Sequence, residues 1–327
     1  MDKNKTTKLK ALFFGTSDRS IPILESLKDN FNLALCITKK DTKIGRKQEK
    51  KECGVKKWAK ENNIEYLEIE SLRDTDLSNV IEKISDGNFD FGIVCDFSFI
   101  IPYKLISILD NKLINIHFSI LPKYRGASPV QYSILNGDNI TGITFHLVNT
   151  GIDNGDILYQ YEYNIEPNIT SGELYDLLFK TAGDLLPDVI NQYINGDIKP
   201  ILQDNNYASY TYSPTRPKST FIYKEDAQID WTKTPQEIER QIRAFNPWPI
   251  SWTLLKYLEN NPTLKENNLS IKIKIRDKSK DLKVKIFSAS IINNMTENDI
   301  NILDIKEIQL EGKKKTSWKD FKNSYFE

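Results

Sequence analysis

The chain of 327 residues carries 45 basic and 45 acidic side chains, so no overall charge points to a nucleic acid and any basic surface must be local. Its length predicts about two domains, and a hydrophobic share of 39% is enough to build ordinary cores. The apolar run at residues 11–14 is too short for an export signal or a membrane span, so we predict a cytoplasmic chain that does not associate with a membrane. The three cysteines form no CxxC pair, so we predict free thiols and no metal site.

The first 196 residues alternate short apolar runs, which predict strands, with amphipathic stretches, which predict helices. The predicted strands cover residues 9–15, 31–39, 66–69, 89–96, 112–118, 143–148 and 157–165. The predicted helices cover residues 21–28, 55–62, 77–84, 103–109 and 173–194. Because nearly continuous apolar strands alternate with helices, we predict an α/β domain over residues 1–196, with a mostly parallel, Rossmann-like sheet covered by helices on both faces.

The regular pattern stops after Gly196. Residues 197–224 are predicted to be a linker, because the stretch at 205–217 has no clean period and carries two prolines. Beyond them, residues 234–244 predict a helix, and a rigid Asn-Pro-Trp-Pro run follows at 246–249. Short alternating runs at residues 270–275, 283–290 and 305–310 predict strands. We therefore predict a small C-terminal β-barrel (OB-like) domain over residues 225–327.

Three polar residues, Asn115, His117 and Ser119, alternate with apolar residues at the end of the fifth predicted strand. Because side chains alternate along a strand, these three are predicted to share one face. They lie just before a proline-containing turn, at the carboxyl end of the strand, where open α/β sheets bind their ligands. The run is therefore a candidate functional site.

A carboxylate, Asp153, lies in a glycine-flanked loop after the next predicted strand. A carboxylate beside an imidazole fixes its tautomer and raises its pKa. Such a set of groups, an amide, an imidazole and a carboxylate, suits acyl transfer to an amine. The amide N–H and a protonated imidazole can stabilise the oxyanion that forms on the acyl carbonyl. The His–Asp pair can relay the proton that the amine loses. Residue chemistry alone leaves a structural role open, since a histidine on a strand is often structural. For His146, which has no partner in sequence, we favour the structural interpretation.

The run from Asn115 to Asp156 resembles the signature of the folate-dependent formyltransferases. It reads NIHFSILPKYRGA at residues 115–127, TGIT at 141–144 and GIDNGD at 151–156. The resemblance implies that Asn115, His117 and Asp153 form the catalytic trio. It also implies that the formyl donor is 10-formyltetrahydrofolate, bound by Ser119, Leu121, Pro122, Lys123, Tyr124 and Arg125.

Further motifs resemble the branch of this family that formylates initiator methionyl-tRNA for translation initiation. They are FFGTS at residues 13–17, AQIDW at 227–231, RQIRAFNPWP at 240–249 and LEGKK at 310–314. The segment CDFS at residues 95–98 departs from the family, which usually has Ala-Tyr-Gly in a loop against the folate pterin. The resemblance implies transfer of the formyl group to the amino group of the methionine on this tRNA, and we expect a monomer.

A basic stretch at residues 39–52 lies between a predicted strand and a predicted helix. Such a charge run is usually a solvated surface. The resemblance, however, implies that a loop with a Gly-Arg core here enters the acceptor end of the tRNA, with Lys43, Arg46 and Lys47 as tRNA-binding residues. In the second domain, a basic stripe is predicted from Lys272, Lys274, Arg276, Lys278, Lys280, Lys283 and Lys285.

Three other classes of protein share parts of this pattern. A sugar-nucleotide N-formyltransferase would share the trio and the folate donor, but would normally lack the junction at residues 246–249 and the basic loop. Purine-precursor formyltransferases share the trio but lack the second domain. A non-catalytic RNA-binding or folate-binding relative would not need to keep Asn115, His117 and Asp153 together.

Overall fold

A computed structural model of the chain describes residues 8–44, 49–259, 261, 264, 281–294 and 300–326. The chain divides into two units. The first comprises Met1–Arg125, Gly142–Tyr163 and Tyr175–Ser209, and the second comprises Gly126–Thr141, Asn164–Leu174 and Tyr210–Glu327. Among the described helices, none is long and apolar enough to cross a membrane.

Nine strands lie in the described residues before Gly196. They are β1 (Lys10–Phe14), β2 (Asn32–Lys39), β3 (Thr42–Ile44), β4 (Glu49–Lys51), β5 (Glu65–Ile69), β6 (Phe91–Val94), β7 (Leu113–His117), β8 (Ile140–Leu147) and β9 (Ile157–Asn164). Seven of them form one sheet in the order β5-β2-β1-β6-β7-β8-β9. The neighbours from β5 to β7 are parallel, and β8 is antiparallel to β7. The prediction of a mostly parallel, Rossmann-like sheet is therefore confirmed.

Helices connect these strands and complete the α/β pattern. They are α1 (Ile21–Asn30), α2 (Gly54–Glu61), α3 (Asp74–Gly87), α4 (Tyr103–Leu109), α5 (Pro129–Asn136) and α6 (Ser171–Ile194). The sequence pattern did not predict α5. Most of its side chains are buried, so it lacks the polar face that makes a helix recognisable in a sequence.

The centre of the sheet explains why its strands were predictable. All four residues of β6 are buried, and Phe13, Phe14 and Phe91 are completely buried. A parallel sheet between layers of helices needs such continuous apolar strands. The loops that follow β1 and β6 are joined by a hydrogen bond from the Thr16 amide to Asp96 O at 3.1 Å. The carboxyl ends of the central strands therefore form one edge of the sheet.

The second unit has its own core and its own sheet. In its described part, a four-stranded antiparallel sheet has the order β10-β11-β12-β13. Besides α5, which lies in the stretch Gly126–Thr141, the unit contains α7 (Pro235–Ala244), β10 (Ser251–Leu254), β11 (Lys283–Asn294), β12 (Ile300–Leu310), β13 (Thr316–Ser317) and α8 (Trp318–Tyr325). The predicted strand at residues 270–275 lies outside the described residues, so closure into an OB-like barrel stays a prediction.

The segment predicted as a linker contributes to the first unit. It contains a short 3-10 helix, Asn205–Tyr207, and the first unit extends to Ser209. Ile201 forms a β-bridge with Ile157 at the start of β9. Residues 197–209 thus pack against the sheet unit, while the domain boundaries at 196 and 225 remain a proposal.

Candidate active site

Strands β7 and β8 bring four polar side chains to one end of the sheet. In their antiparallel register, Asn115 pairs with His146 and His117 pairs with Thr144. Residues that lie opposite each other in an antiparallel pair project from the same face. Asn115 and His117 are two residues apart on one strand, so all four side chains share that face.

A tight loop after β8 supplies the carboxylate. The Leu147 amide donates to Asp156 O at 2.9 Å and closes the loop. A Cβ atom at Gly155 would lie 1.8 Å from Leu147 O, so only glycine permits this close approach. Asp153 adopts a left-handed backbone with φ of 46°. The turn of the chain here places the Asp153 side chain beside β7.

The three residues of the implied trio meet in the structure. Asn115 Nδ2 donates to Asp153 Oδ1 at 3.2 Å. His117 Nδ1 lies 3.6 Å from Asp153 Oδ2. The His117 side chain is 6% exposed and the Asp153 side chain 18% exposed, so the imidazole is shielded while the carboxylate reaches solvent. An amide, an imidazole and a carboxylate thus surround one point at the sheet edge.

The hydrogen bonds of His117 determine its tautomer. Its Nε2 lies 2.9 Å from Tyr124 O, and a carbonyl oxygen can only accept, so Nε2 carries the hydrogen. Burial lowers the pKa of His117 from its usual 6.5, and the nearby Asp153 only partly opposes this effect. The resting imidazole is therefore neutral, with the Nδ1 lone pair on the Asp153 side. The expected protonated imidazole can arise only after proton uptake.

His146 contacts two residues of the trio, although the sequence showed no partner for it, and the structural role expected for it stays a prediction. Its Nδ1 lies 2.8 Å from Leu147 O, so Nδ1 carries the hydrogen and Nε2 is an acceptor. Asn115 Nδ2 donates to this Nε2 at 2.9 Å. His146 Nε2 also lies 3.7 Å from Asp153 Oδ1. The partner was missed because a sequence pattern does not reveal which residues of β7 and β8 lie opposite each other.

The strand alternation does not extend to Ser119, because β7 ends at His117. Ser119 Oγ instead donates to Lys123 O at 2.6 Å and closes the following turn. Leu121 is buried in that turn, and its amide donates to Thr144 Oγ1 at 3.2 Å. The expectation that Ser119 shares a face with Asn115 and His117 therefore stays a prediction.

The remaining residues expected to bind the donor lie at different depths. Pro122 is half-buried and Lys123 is exposed. Tyr124 has a positive φ of 61°, which turns its carbonyl towards His117. Arg125 is buried, and its Nη2 donates to Gln203 Oε1 at 2.7 Å. Only the middle of this segment presents side chains to a ligand at the surface.

The atypical segment at residues 95–98 follows β6 at the same sheet edge. Asp96 is exposed, with a left-handed φ of 48°. Its carbonyl accepts from Thr16 Oγ1 at 2.9 Å, and the same hydroxyl lies 2.7 Å from Ser98 Oγ. The ring of Phe97 packs edge-on against Phe14, with 5.4 Å between centroids. The contacts with Thr16 and Phe14 thus hold the backbone of the loop, and the Asp96 carboxylate faces solvent.

The basic stretch at residues 39–52 contains an antiparallel hairpin of β3 and β4, in which Lys43 pairs with Lys50. Arg46 and Lys47 lie outside the described residues. Lys56 anchors the start of the hairpin: its Nζ lies 2.8 Å from Asp41 Oδ2 and 2.9 Å from Glu68 Oε1. The residue that precedes the hairpin, Asp41, is therefore held by an ion pair with Lys56.

The basic stripe predicted in the second unit is described only in part. Lys272, Lys274, Arg276, Lys278 and Lys280 lie outside the described residues. Lys283 and Lys285 are exposed on β11 and alternate with the buried Val284 and Ile286. Within the described part of the chain, His, Cys, Asp and Glu side chains form no group of three or more that could hold a metal ion.

Comparison with known proteins gives consistent matches over both units. Residues 8–190 match the Formyl transferase family, and residues 221–325 match the Formyl transferase C-terminal domain. The methionyl-tRNA formyltransferase of Clostridium novyi (strain NT) is 38% identical over 245 residues, which cover 75% of this chain and 76% of that protein. The methionyl-tRNA formyltransferase of Coxiella burnetii (strain RSA 331 / Henzerling II) is 34% identical over 325 residues, covering 97% of this chain and 96% of that protein.

A solved structure shares the fold at lower identity. The N-formyltransferase from Helicobacter canadensis, in complex with folinic acid and dTDP-3-aminofucose, has a TM-score of 0.60 and 23% identity to this chain. The superposition covers 91% of this chain and 98% of that one. At this identity the likeness concerns the fold alone.

Proposed function

Because the chain belongs to the formyl transferase family, and within it to the methionyl-tRNA formyltransferases, we propose that it moves the formyl group of 10-formyltetrahydrofolate onto the amino group of the methionine on initiator tRNA. The proposal rests above all on one observation, the meeting of Asn115, His117 and Asp153 at the carboxyl end of β7. This arrangement supplies an amide donor, a neutral base and a carboxylate within one site.

In the proposed reaction, His117 acts as the base. As the methionine amine forms its bond to the formyl carbon, His117 Nδ1 accepts the amine proton, directly or through one water. The proton turns the 3.6 Å contact between Nδ1 and Asp153 Oδ2 into an ion pair, which stabilises the imidazolium. His117 then returns the proton to the departing donor nitrogen as its bond to the formyl carbon breaks.

Asn115 stabilises the oxyanion that develops on the formyl oxygen. One of its Nδ2 hydrogens points to His146 Nε2 at 2.9 Å, and the other makes the longer, 3.2 Å bond to Asp153. The longer bond is the one we expect to be exchanged for the formyl oxygen. His146 keeps its own bond throughout and thereby holds the amide in the orientation that presents N–H groups to the substrate.

The residues at the sheet edge fit a formyl donor. Asn115 is half-buried and the Asp153 side chain is 18% exposed, so a formyl group can reach them from solvent. Pro122 is half-buried and Lys123 is exposed, so both can contact a donor, whereas Ser119, Leu121 and Arg125 are buried and would support the donor through the backbone of the turn.

Two observations support a tRNA acceptor: the charge of the basic stretch and the similarity to methionyl-tRNA formyltransferases. Lys43, Arg46 and Lys47 belong to a stretch rich in basic residues, and phosphate neutralisation requires cations without fixed geometry. A relative that covers 97% of this chain is a methionyl-tRNA formyltransferase, whereas the sugar-modifying protein shares the fold alone. We therefore favour a tRNA acceptor over a nucleotide sugar.

A transfer assay with two acceptors tests this function. Labelled 10-formyltetrahydrofolate is incubated with the full chain and either charged initiator tRNA or a dTDP-linked amino sugar. We expect label on the methionine of the tRNA and background transfer to the sugar. Transfer to the sugar alone would overturn the proposed acceptor, and transfer to neither would overturn the proposed activity.

A further inference from the structure

The segment that follows α6 reaches back into the candidate active site through Gln203. This side chain is 4% exposed. Its Oε1 accepts two hydrogen bonds from Arg125, from Nε at 3.1 Å and from Nη2 at 2.7 Å. Arginine can only donate, so this pair fixes which end of the Gln203 amide faces Arg125.

The other end of the same amide holds the loop of the carboxylate. Gln203 Nε2 donates to Asp153 O at 2.9 Å and to Gly155 O at 2.7 Å. Both hydrogens of the amide nitrogen and both acceptor positions of its oxygen are therefore used. A buried amide that is satisfied on every side has one orientation and adds rigidity to what it joins.

The loop needs such support because its backbone is strained. Asp153 has a left-handed φ of 46°, which is unfavourable for a residue with a side chain. The 3.2 Å bond to Asn115 and the 3.6 Å approach to His117 both depend on where this backbone places the carboxylate. A small displacement would separate the carboxylate from both partners.

We propose that Gln203 is a positioning residue for the formyl transfer: Arg125 orients its amide, and the amide holds the backbone of residues 153–155 so that Asp153 faces Asn115 and His117. The inference rests on the proposed role of Asp153. It assigns the beginning of the segment at residues 197–224, which the sequence predicts as a linker, to the support of the active site.

The neighbouring Asn205 offers a matched control. Its Oδ1 also accepts from Arg125 Nη2, at 2.9 Å. The hydrogen bonds from this segment to Asp153 O and Gly155 O come from Gln203 instead. Asn205→Ala therefore disturbs the same guanidinium while it spares the bonds to the loop. Gln203→Glu does the reverse, because a carboxylate still accepts from Arg125 but cannot donate to the two carbonyls.

The experiment compares kcat, the KM for charged tRNA and the thermal midpoint in full-length Gln203→Glu and Asn205→Ala. We expect kcat of Gln203→Glu to fall by about 10- to 100-fold at saturating substrates, with an unchanged KM for tRNA and a thermal midpoint that is lowered but stays above the assay temperature. Asn205→Ala should keep a wild-type kcat. If Gln203→Glu does not fold, Gln203→Met, which removes all four bonds, is measured in the same way.

Two outcomes would overturn the inference. One is a wild-type kcat in a folded Gln203 variant. The other is an equal loss of kcat in Asn205→Ala, which would trace the effect to Arg125 and not to the loop. Asp153→Asn, measured alongside, keeps the proposed function separate: if that variant is fully active, the role of Asp153 fails whatever Gln203 does.

Discussion

The proposed active site at the sheet edge and the basic hairpin differ in what they require of their polar residues. At the sheet edge, donors and acceptors face each other at fixed distances, as Asn115 does with His146 and Asp153. In the hairpin, the backbone register places Lys43 across from Lys50, and the stretch contributes positive charge to its surroundings. Catalysis requires donors and acceptors at defined positions, whereas attraction of a polyanion such as tRNA requires positive charge without a defined geometry. Changes at the first region should therefore alter turnover, and changes at the second should alter affinity and its salt dependence.

The strongest test of this separation removes a group of the trio. His117→Ala should lower kcat by about 10²–10⁴-fold, because the amine proton loses its acceptor. Asn115→Ala should lower kcat by about 10²–10³-fold through the loss of an oxyanion donor. Steady-state formylation gives kcat, and filter binding gives the tRNA affinity, which should stay at the wild-type value. A variant that turns over normally would contradict the assignment of its residue.

A smaller effect is expected at His146. His146→Leu removes the acceptor that orients Asn115, and the loss of one such hydrogen bond corresponds to about tenfold in kcat. His146→Gln is the matched control, since its amide oxygen can accept from Asn115 at the position of Nε2 and should restore most of the activity. Equal turnover in the wild type and in His146→Leu would show that the contact has no influence on the reaction.

The basic stretch should respond in the opposite sense. Replacing Arg46 and Lys47 with Ala should weaken tRNA binding and leave kcat at saturating tRNA unchanged. Each lost phosphate contact should lower the slope of log affinity against log salt by roughly 0.7–0.9. Lys57→Ala on α2 is the control, because this exposed lysine pairs with Glu61 at 3.9 Å. The same salt slope in the double variant and in the wild type would exclude these residues from the tRNA contact.

The smallest of the expected effects is the pH dependence of stability that arises from the pKa of His117. Burial lowers its pKa below 6.5, so the folded protein favours the neutral ring. The associated stability is present above pH 6.5 and is lost as the pH falls through the lower, folded pKa. Asp153 raises the pKa of His117 and His146 lowers it. Asp153→Asn should therefore lower the pKa further.

The chain has two histidines, so a ring-proton NMR titration can follow His117 directly, with His146→Gln to assign the signals. A His117 signal that titrates at or above 6.5 in the wild type would contradict this account of a buried, neutral base.

The sequence was informative where one residue pattern determines one structure. The buried strands β1 and β6 follow from continuous apolar runs, and α4 was predicted at the bounds it has, Tyr103–Leu109. The trio came from a long motif whose residues lie within one strand and one loop. Such patterns can be recognised in a sequence because they are formed by residues that are close together along the chain.

Contacts between distant segments could not be predicted in this way. His146 joins the site through the register of two antiparallel strands, and Gln203 joins it across 50 residues of chain from Asp153. Neither position shows a periodicity or a motif that marks its partner. Both are polar residues that folding buries, and a buried polar group needs a partner; burial, however, is known only once the fold is known.

Formyl transfer at the sheet edge should be separable from charge-driven tRNA binding. Single-turnover formylation by the wild-type chain, over a range of tRNA concentrations at low and at high salt, tests it most directly. We predict that the apparent Kd for tRNA rises steeply with salt while the rate at saturating tRNA stays constant. An apparent Kd that does not respond to salt, or a saturating rate that falls as steeply as the affinity, would contradict the account.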